Sequence, residues 1–224
     1  MQRRKVVLGS VAALTLVGPA RAATDSQADA ALGIRAALER GAIAAVASLG
    51  RADGFLGNPK VRIELPGFLA NAAKMLRFTG QQQRVDDLVT AMNRAAEAAV
   101  PEARALLVAA AKSISAGDAL RIVRGGDDSV TKFFAGKTRA PLGEKFLPIV
   151  KRQTARVDLA SRYNAVAGKV ANMGLVKGDD ANIDRYVTGK ALDGLYLMIA
   201  DEEKKIRSDP VGTGSALLAR VFGR

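Results

Sequence analysis

Residues 188–207 read TGKALDGLYLMIADEEKKIR, and the spacing of their apolar side chains decides the fold class. One set recurs at helical intervals: Leu192, Leu195, Tyr196, Ile199 and Ile206. This spacing is typical of one face of an amphipathic α-helix. It recurs from Asp25 to Leu49, and Gly50 is suited to end that helix. The sequence therefore predicts an all-α fold.

Further helices follow from apolar periodicity and from the positions of proline and glycine. They are predicted at about 66–78, from after Gly80 to about 114 with a kink or restart at Pro101, at 116–124, at 127–134, from Pro141 onward, at 159–173 and after Ser215. Residues 60–65 alternate between polar and apolar, which predicts a short extended segment with Val61, Ile63 and Leu65 turned inward. We therefore expect a single all-α domain of about eight to ten helices, several short, with one extended segment near 60–65.

The first 22 residues have the pattern of an export signal. Residues 3–5 are basic, residues 6–17 form an apolar run too short to span a membrane, and residues 20–22 supply an A-x-A cleavage site. The adjacent arginines favour the twin-arginine route, with an ordinary Sec signal as the alternative. We expect cleavage near Ala22, a mature helical domain of residues 23–224 and a periplasmic location.

Missing residue types narrow the possible chemistry. The chain has no cysteine, histidine or tryptophan, which excludes disulfides, thiolate zinc sites, cysteine nucleophiles and serine–histidine triads. Asp180, Asn182 and Asp184 are spaced like the start of a calcium loop, but Arg185 stands where that loop requires glycine. We predict no metal site and no cofactor.

Several stretches resemble a known family. They are Asn58-Pro59 with Val61, Ile63 and Leu65, MNRAAE at 92–97, GGD at 125–127, KALDGL at 190–195, and VFG at 221–223. Together they are similar to the bacterial exported family catalogued as domain of unknown function 4197, over nearly the whole mature chain. The resemblance implies an all-helical exported protein. It implies no activity and no catalytic residue.

A polar stripe on the helix after Gly80 is a candidate binding site. Asp86, Asn93 and Glu97 are spaced by seven and four residues, so they lie along one line of the helix, beside Arg94. A carboxylate and a guanidinium in this arrangement can hold a ligand. The alternatives are a solvated face or a hydrogen-bond cluster that positions a neighbouring helix.

Glu203 is a second candidate. It lies four residues after Ile199 and three before Ile206, which tilts it toward the core face. A buried glutamate requires a partner and is a candidate acid or ligand. Three further residues complete the predicted binding set: Asp127, Tyr163 and Asp193.

Basic residues concentrate in one region. The chain has 34 Lys and Arg against 22 Asp and Glu, a net charge of +12, and residues 112–156 hold ten basic side chains against four acidic ones. The predicted basic surface consists of Lys137, Arg139, Lys145, Lys151, Arg152 and Arg156. It suits anionic lipid headgroups or envelope polymers, with a solubilising face as the alternative. Export and few aromatic side chains argue against nucleic acid.

Three functional hypotheses follow. The first is a non-catalytic periplasmic binding or scaffold protein for a lipid-like or other apolar ligand, or for an anionic envelope surface. The second is a cofactor-independent hydrolase or lyase with paired carboxylates, using Glu97, Asp193 or Glu203 with Tyr163 or Tyr196. The third is a structural envelope protein that acts through oligomerisation. We expect no transmembrane segment in the mature chain, and its oligomeric state stays open.

Overall fold

The computed structural model describes residues 20–69, 78, 80, 82–126, 128–156, 161, 163–164 and 182–209. Within these ranges the chain forms six α-helices: α1 (Ala20–Leu49), α2 (Gln82–Ala99), α3 (Ala103–Lys112), α4 (Ala116–Arg124), α5 (Ser129–Thr154) and α6 (Ile183–Ser208). Two 3-10 helices, Gly67–Leu69 and Val100–Glu102, lie in the connections. These ranges contain no strand, and the predicted all-α class is confirmed.

The helices pack around the pair formed by α5 and α6. Helix α2 lies against both, and α1 packs on α3, α4 and α6. The core between them contains large side chains with almost no exposure: Ile34, Phe55, Met92, Leu107, Phe134, Phe146 and Leu195. Alanine occupies many of the other buried positions, which allows the helix axes to approach closely.

Helix α5 corrects part of the predicted helix list. A short helix through Phe134 and a separate one from Pro141 are wrong, because residues 129–154 form one continuous helix. Its buried residues recur at every fourth position from Val130 to Thr154. On a helix of 3.6 residues per turn, that stripe turns by about 40° at each step. No single face is apolar along the whole helix, so the sequence pattern looks interrupted.

Other boundaries follow the sequence more closely. Helix α2 ends at Ala99, a 3-10 turn contains Pro101, and α3 then begins, as the proline predicts. The predicted helices at 159–173 and after Ser215, and most of the one at 66–78, lie outside the described residues, as does the leader up to residue 19. None of the helices in the described ranges has the length and apolar character needed to cross a membrane.

Ser115 and Asp118 cap the start of α4. The Ser115 hydroxyl accepts a hydrogen bond from the Asp118 amide, and the Asp118 carboxylate accepts one from the Ser115 amide, both at 3.1 Å. The hydrogen bonds from Ser115, followed by the one from Arg121, lower the pKa of Asp118 to about 2. Because this lies below the ordinary value of 3.8, the stabilisation is complete above about pH 4 and is lost as the pH falls through about 2.

We therefore expect a carbon-13 NMR titration of the Asp118 carboxyl to give a midpoint of about 2. Asp118→Asn should remove this contribution to the acid unfolding curve. A midpoint at the ordinary value of an aspartate would contradict the capping arrangement.

Residues 50–66, which we call the 50–66 loop, connect α1 to the first 3-10 helix and pack against α2 and α6. Phe55 is fully buried against Gly194, where a Cβ atom would come within 2.7 Å of the phenylalanine ring. Val61 and Ile63 are buried and Leu65 is half-buried, so the inward positions agree with the alternating pattern. The predicted extended segment is wrong at its beginning, because residues 59–61 form a turn closed by hydrogen bonds to the Asn58 carbonyl. The loop is therefore an ordered part of the core, and its contacts define the candidate site.

Candidate functional site

Asn93 is fully buried on α2 and binds the backbone of the 50–66 loop. Its Oδ1 accepts a hydrogen bond from the Ile63 amide at 2.8 Å, and its Nδ2 donates to the Ile63 carbonyl at 2.9 Å. Nδ2 also donates to the Val89 carbonyl at 2.8 Å. One carboxamide thus pairs with both polar groups of one residue, as a neighbouring β-strand would. Asn93 replaces a strand partner for Ile63.

Glu97, one helical turn further along α2, binds the beginning of the same loop. Its Oε1 accepts hydrogen bonds from the amides of Phe55 at 3.0 Å and Leu56 at 3.1 Å. Its Oε2 accepts from Arg94 Nη1 at 2.7 Å, and Arg94 also pairs with Asp53 at 2.8 Å. The hydrogen bond to Glu97 is the main reason that the pKa of Arg94 is raised, so the guanidinium stays charged.

The structure therefore brings three predicted site residues together: Asn93, Arg94 and Glu97. Of the two structural alternatives, the hydrogen-bond cluster describes this geometry, although it positions a loop rather than a helix. Asn93 binds the backbone at Ile63, and Glu97 binds the backbone at Phe55 and Leu56. Their role in holding a ligand stays a prediction.

Glu203 is 3% exposed and caps the N-terminus of α5 from α6. Its carboxylate accepts hydrogen bonds from the Val130 and Thr131 amides at 3.3 Å, and from the Thr131 hydroxyl at 3.2 Å. Asp128, the N-cap residue of α5, makes no side-chain capping bond. Arg207 donates to Glu203 from Nε at 3.1 Å and Nη2 at 2.9 Å. The helix dipole and the guanidinium both stabilise the buried carboxylate.

Sequence reasoning predicts the pair of Glu203 and Arg207 but misses two other members of this cluster, Ser129 and Ile122. Arg207 Nη2 also donates to the Ser129 hydroxyl at 2.8 Å and to the Ile122 carbonyl at 3.0 Å. The four-residue spacing of Glu203 and Arg207 is the sequence signal for their pair. No local pattern points to Ser129 or Ile122, which are 78 and 85 residues away from Arg207.

Asp193 and Arg139, predicted for different roles, form an ion pair of 2.7 Å between α6 and α5. The Arg139 guanidinium also lies over the Tyr196 ring, 5.8 Å from its centroid. The Tyr196 hydroxyl is within hydrogen-bond distance of the Thr138 hydroxyl, at 2.8 Å. Burial raises the pKa of Tyr196 above its usual value, so the phenol stays protonated at neutral pH.

Tyr163 and Asp127 are the two remaining residues of the predicted binding set. Tyr163 is 3% exposed, and Asp127 lies outside the described residues. Asn182 caps α6, because its side chain accepts hydrogen bonds from the Asp184 and Arg185 amides. Within the described residues, no three metal-ligating side chains cluster.

The three carboxylates considered for catalysis occupy separate settings. Glu97 holds the 50–66 loop, Glu203 caps α5, and Asp193 pairs with Arg139 at the surface. In the described contacts, none of the three touches another. The hydrolase hypothesis therefore gains no support from the geometry and stays an untested alternative.

The predicted basic surface lies along α5 and just beyond its end. All six side chains are exposed: Lys137, Arg139, Lys145, Lys151, Arg152 and Arg156. Arg139 pairs with Asp193. The other five form no ion pair with any carboxylate in the described part of the chain.

Comparison with known proteins identifies the family of this chain. A family model described as "Protein of unknown function (DUF4197)" matches residues 24–223. No curated protein and no solved structure matches the chain. Two of the motifs that carried the resemblance meet at the 50–66 loop, since residues 92–97 hold its backbone and residues 190–195 include the glycine beside Phe55. The chain belongs to the DUF4197 family.

Proposed function

We propose that the chain is an exported, non-catalytic binding protein that docks on anionic phospholipid headgroups. The docking surface is the outer side of α5, which carries Lys137, Lys145, Lys151 and Arg152 and which we call the α5 basic face. Export is supported by the basic start, the apolar run and the cleavage pattern of residues 1–22.

The observation that carries the proposal is the positive charge of this face, which no carboxylate in the described part of the chain neutralises by an ion pair. Lys137, Lys145 and Arg152 recur at intervals of eight and seven residues, and Lys151 is adjacent to Arg152. At 100° per residue the four cations lie within about 120° of one another around the helix, so they share one side. They span about 22 Å along the helix axis. All four are exposed, and Glu144 is the acidic residue between them. Such a cluster repels itself and is stabilised by an anionic partner.

The composition of the α5 basic face favours headgroups over the acyl region. The same side of the helix carries Pro141 and Pro148 and no large apolar side chain. Helices that insert into a membrane interface place Leu, Phe or Trp on the membrane side. Of the three aromatic residues in α5, Phe134 and Phe146 are buried and Phe133 is half-buried against the core. Binding is therefore electrostatic and confined to the surface.

Binding to vesicles tests the proposal. We expect the mature protein to bind vesicles that contain phosphatidylglycerol, and not vesicles of phosphatidylcholine alone. Each Lys or Arg near an anionic membrane contributes about 1 kcal/mol, so the double variant Lys145→Gln, Arg152→Gln should bind about 30-fold more weakly. High salt should release the protein, because the screening length falls to about 3 Å at 1 M.

Lys132→Gln is the matched control. Lys132 is exposed on the same helix but pairs with Asp128 at 2.8 Å, and its loss should leave vesicle binding almost unchanged. Equal binding to both kinds of vesicle, or full binding by the double variant, would refute the proposal. Retention on dextran sulfate without vesicle binding would instead assign the face to an anionic polymer.

An apolar ligand inside the domain is not part of this proposal. A cavity beside Ile34, Leu38 and Ile206 is apolar, but its volume is about 10 Å³, which is room for about one water molecule. The lipid-like ligand and the oligomeric envelope role stay predictions.

A further inference from the structure

A groove of about 320 Å³ lies between the 50–66 loop and α6. Five consecutive loop residues, 60–64, line one side, and α6 supplies the other side between Tyr186 and Leu197. The volume is at the lower end of the range of about 300–1,000 Å³ that is typical of ligand sites. The groove runs along residues 62–64, which follow a turn at residues 59–61, and its shape suits a short linear ligand.

The loop directs unused backbone groups to the α6 side. Both polar groups of Ile63 bond to Asn93 on the α2 side. In an extended chain, adjacent residues direct their polar groups to opposite sides, and the Glu64 carbonyl indeed accepts a hydrogen bond from Tyr186 Oη at 2.8 Å. The Arg62 carbonyl and the Glu64 amide share that side, and neither has a hydrogen-bond partner in the described ranges.

These two groups are the pair that an added strand uses. In a parallel ladder, one residue of the added strand donates to the carbonyl of residue i−1 and accepts from the amide of residue i+1. Ile63 stands at position i, with its own polar groups engaged by Asn93 on the opposite edge. On the α6 side the Arg62 amide bonds to the Asn58 carbonyl and the Glu64 carbonyl to Tyr186, so the loop offers one pair of groups there, the Arg62 carbonyl and the Glu64 amide. Proteins that bind peptides by strand addition use such a pair.

The side chains of the groove select the chemistry of the ligand. Lys190 Nζ lies over the Tyr186 ring, 5.8 Å from its centroid, and is 3.9 Å from Asp193. Asp193 has a closer partner in Arg139, at 2.7 Å, so Lys190 is positioned to pair with an additional carboxylate. Leu197 is 43% exposed and supplies an apolar contact on the same wall.

We propose that this groove binds a short extended peptide with one acidic side chain, which adds as a strand beside residues 62–64. The peptide donates a backbone hydrogen bond to the Arg62 carbonyl and accepts one from the Glu64 amide. Its carboxylate pairs with Lys190, and an apolar neighbour contacts Leu197. The site uses none of the residues of the α5 basic face, so the two proposals stand or fall separately.

An NMR titration of the mature protein with acetyl-leucyl-glutamyl-leucinamide tests this site. We expect the Glu64 amide resonance to shift and its exchange with solvent to slow when the peptide saturates the protein. A matched ester analogue, in which oxygen replaces the glutamyl N–H, should bind about fivefold more weakly because it loses one hydrogen bond. Lys190→Gln should weaken peptide binding about two- to fivefold, as expected for an exposed ion pair.

Lys145→Gln, on the α5 basic face, is the control and should leave peptide affinity unchanged. Free N-acetylglutamate that binds as tightly as the peptide would overturn strand addition, and so would an ester analogue of equal affinity. Absence of any shift at Glu64 with millimolar peptide would overturn the site itself. Circular dichroism checks that Lys190→Gln is folded, and Leu197→Ser provides a second variant that should also weaken binding.

Discussion

Substitution of Asn93 with leucine is expected to lower the free energy of unfolding by about 3 kcal/mol, because two buried backbone groups lose their partner. Leucine has a similar size but cannot accept from the Ile63 amide or donate to the Ile63 carbonyl, at 2.8 and 2.9 Å in the native protein. Each buried polar group left unsatisfied costs about 1–3 kcal/mol. Urea unfolding followed by circular dichroism measures the loss.

Gln83→Ala is the matched control on the same helix. Gln83 is exposed and donates a hydrogen bond to Asp87 at 2.8 Å, so its loss should change stability by less than about 0.5 kcal/mol. If Asn93→Leu were as stable as Gln83→Ala, the carboxamide would not be holding the 50–66 loop.

Glu203→Ala is expected to lower the free energy of unfolding by about 3 kcal/mol, because it removes one member of a buried ion pair. Arg207 would keep its bonds to Ser129 and Ile122 but lose its carboxylate partner. The Val130 and Thr131 amides at the start of α5 would lose their acceptor at the same time.

The neighbouring Glu202 provides the control for this variant. It pairs with Lys205 across one turn of α6 at 2.6 Å, an arrangement worth about 0.2–0.5 kcal/mol. Glu202→Ala should therefore have little effect on the urea midpoint. A Glu203→Ala protein of normal stability would show that the carboxylate is not a structural cap, and would return it to the list of candidate acids.

The fold class was accessible from the sequence because helical periodicity is a local signal. The stripes in α1 and α6, the break at Pro101 and the cap at Ser115 all depend on residues within one or two turns. The continuous helix α5 could not be predicted from the sequence. The helices that it contacts change along its length, and its buried stripe turns with them. Prolines that end a helix in isolation are tolerated there, because Pro148 is exposed and Pro141 is only half-buried.

The sequence identified several residues of the candidate site but not their hydrogen-bond partners. The spacing of Asn93 and Glu97 indicates that both lie on one line of a helix, and the tilt of Glu203 toward the core predicts its burial. Each of the three also binds backbone amides or carbonyls that are between 30 and 73 residues away. Backbone groups are the same at every position, so no residue pattern identifies which of them a side chain will bind.

The anchoring of the 50–66 loop has a consequence for proteolysis. Lys60 and Arg62 are exposed and are substrates for trypsin by residue type. A protease must draw a stretch of chain into its own cleft, and the amides of Phe55 and Ile63 tie this stretch to α2 on both sides of Lys60. Cleavage therefore requires that the contacts of both amides with α2 break at the same time. The rate at which trypsin nicks this loop thus reports the opening free energy of the α2 contacts rather than surface exposure.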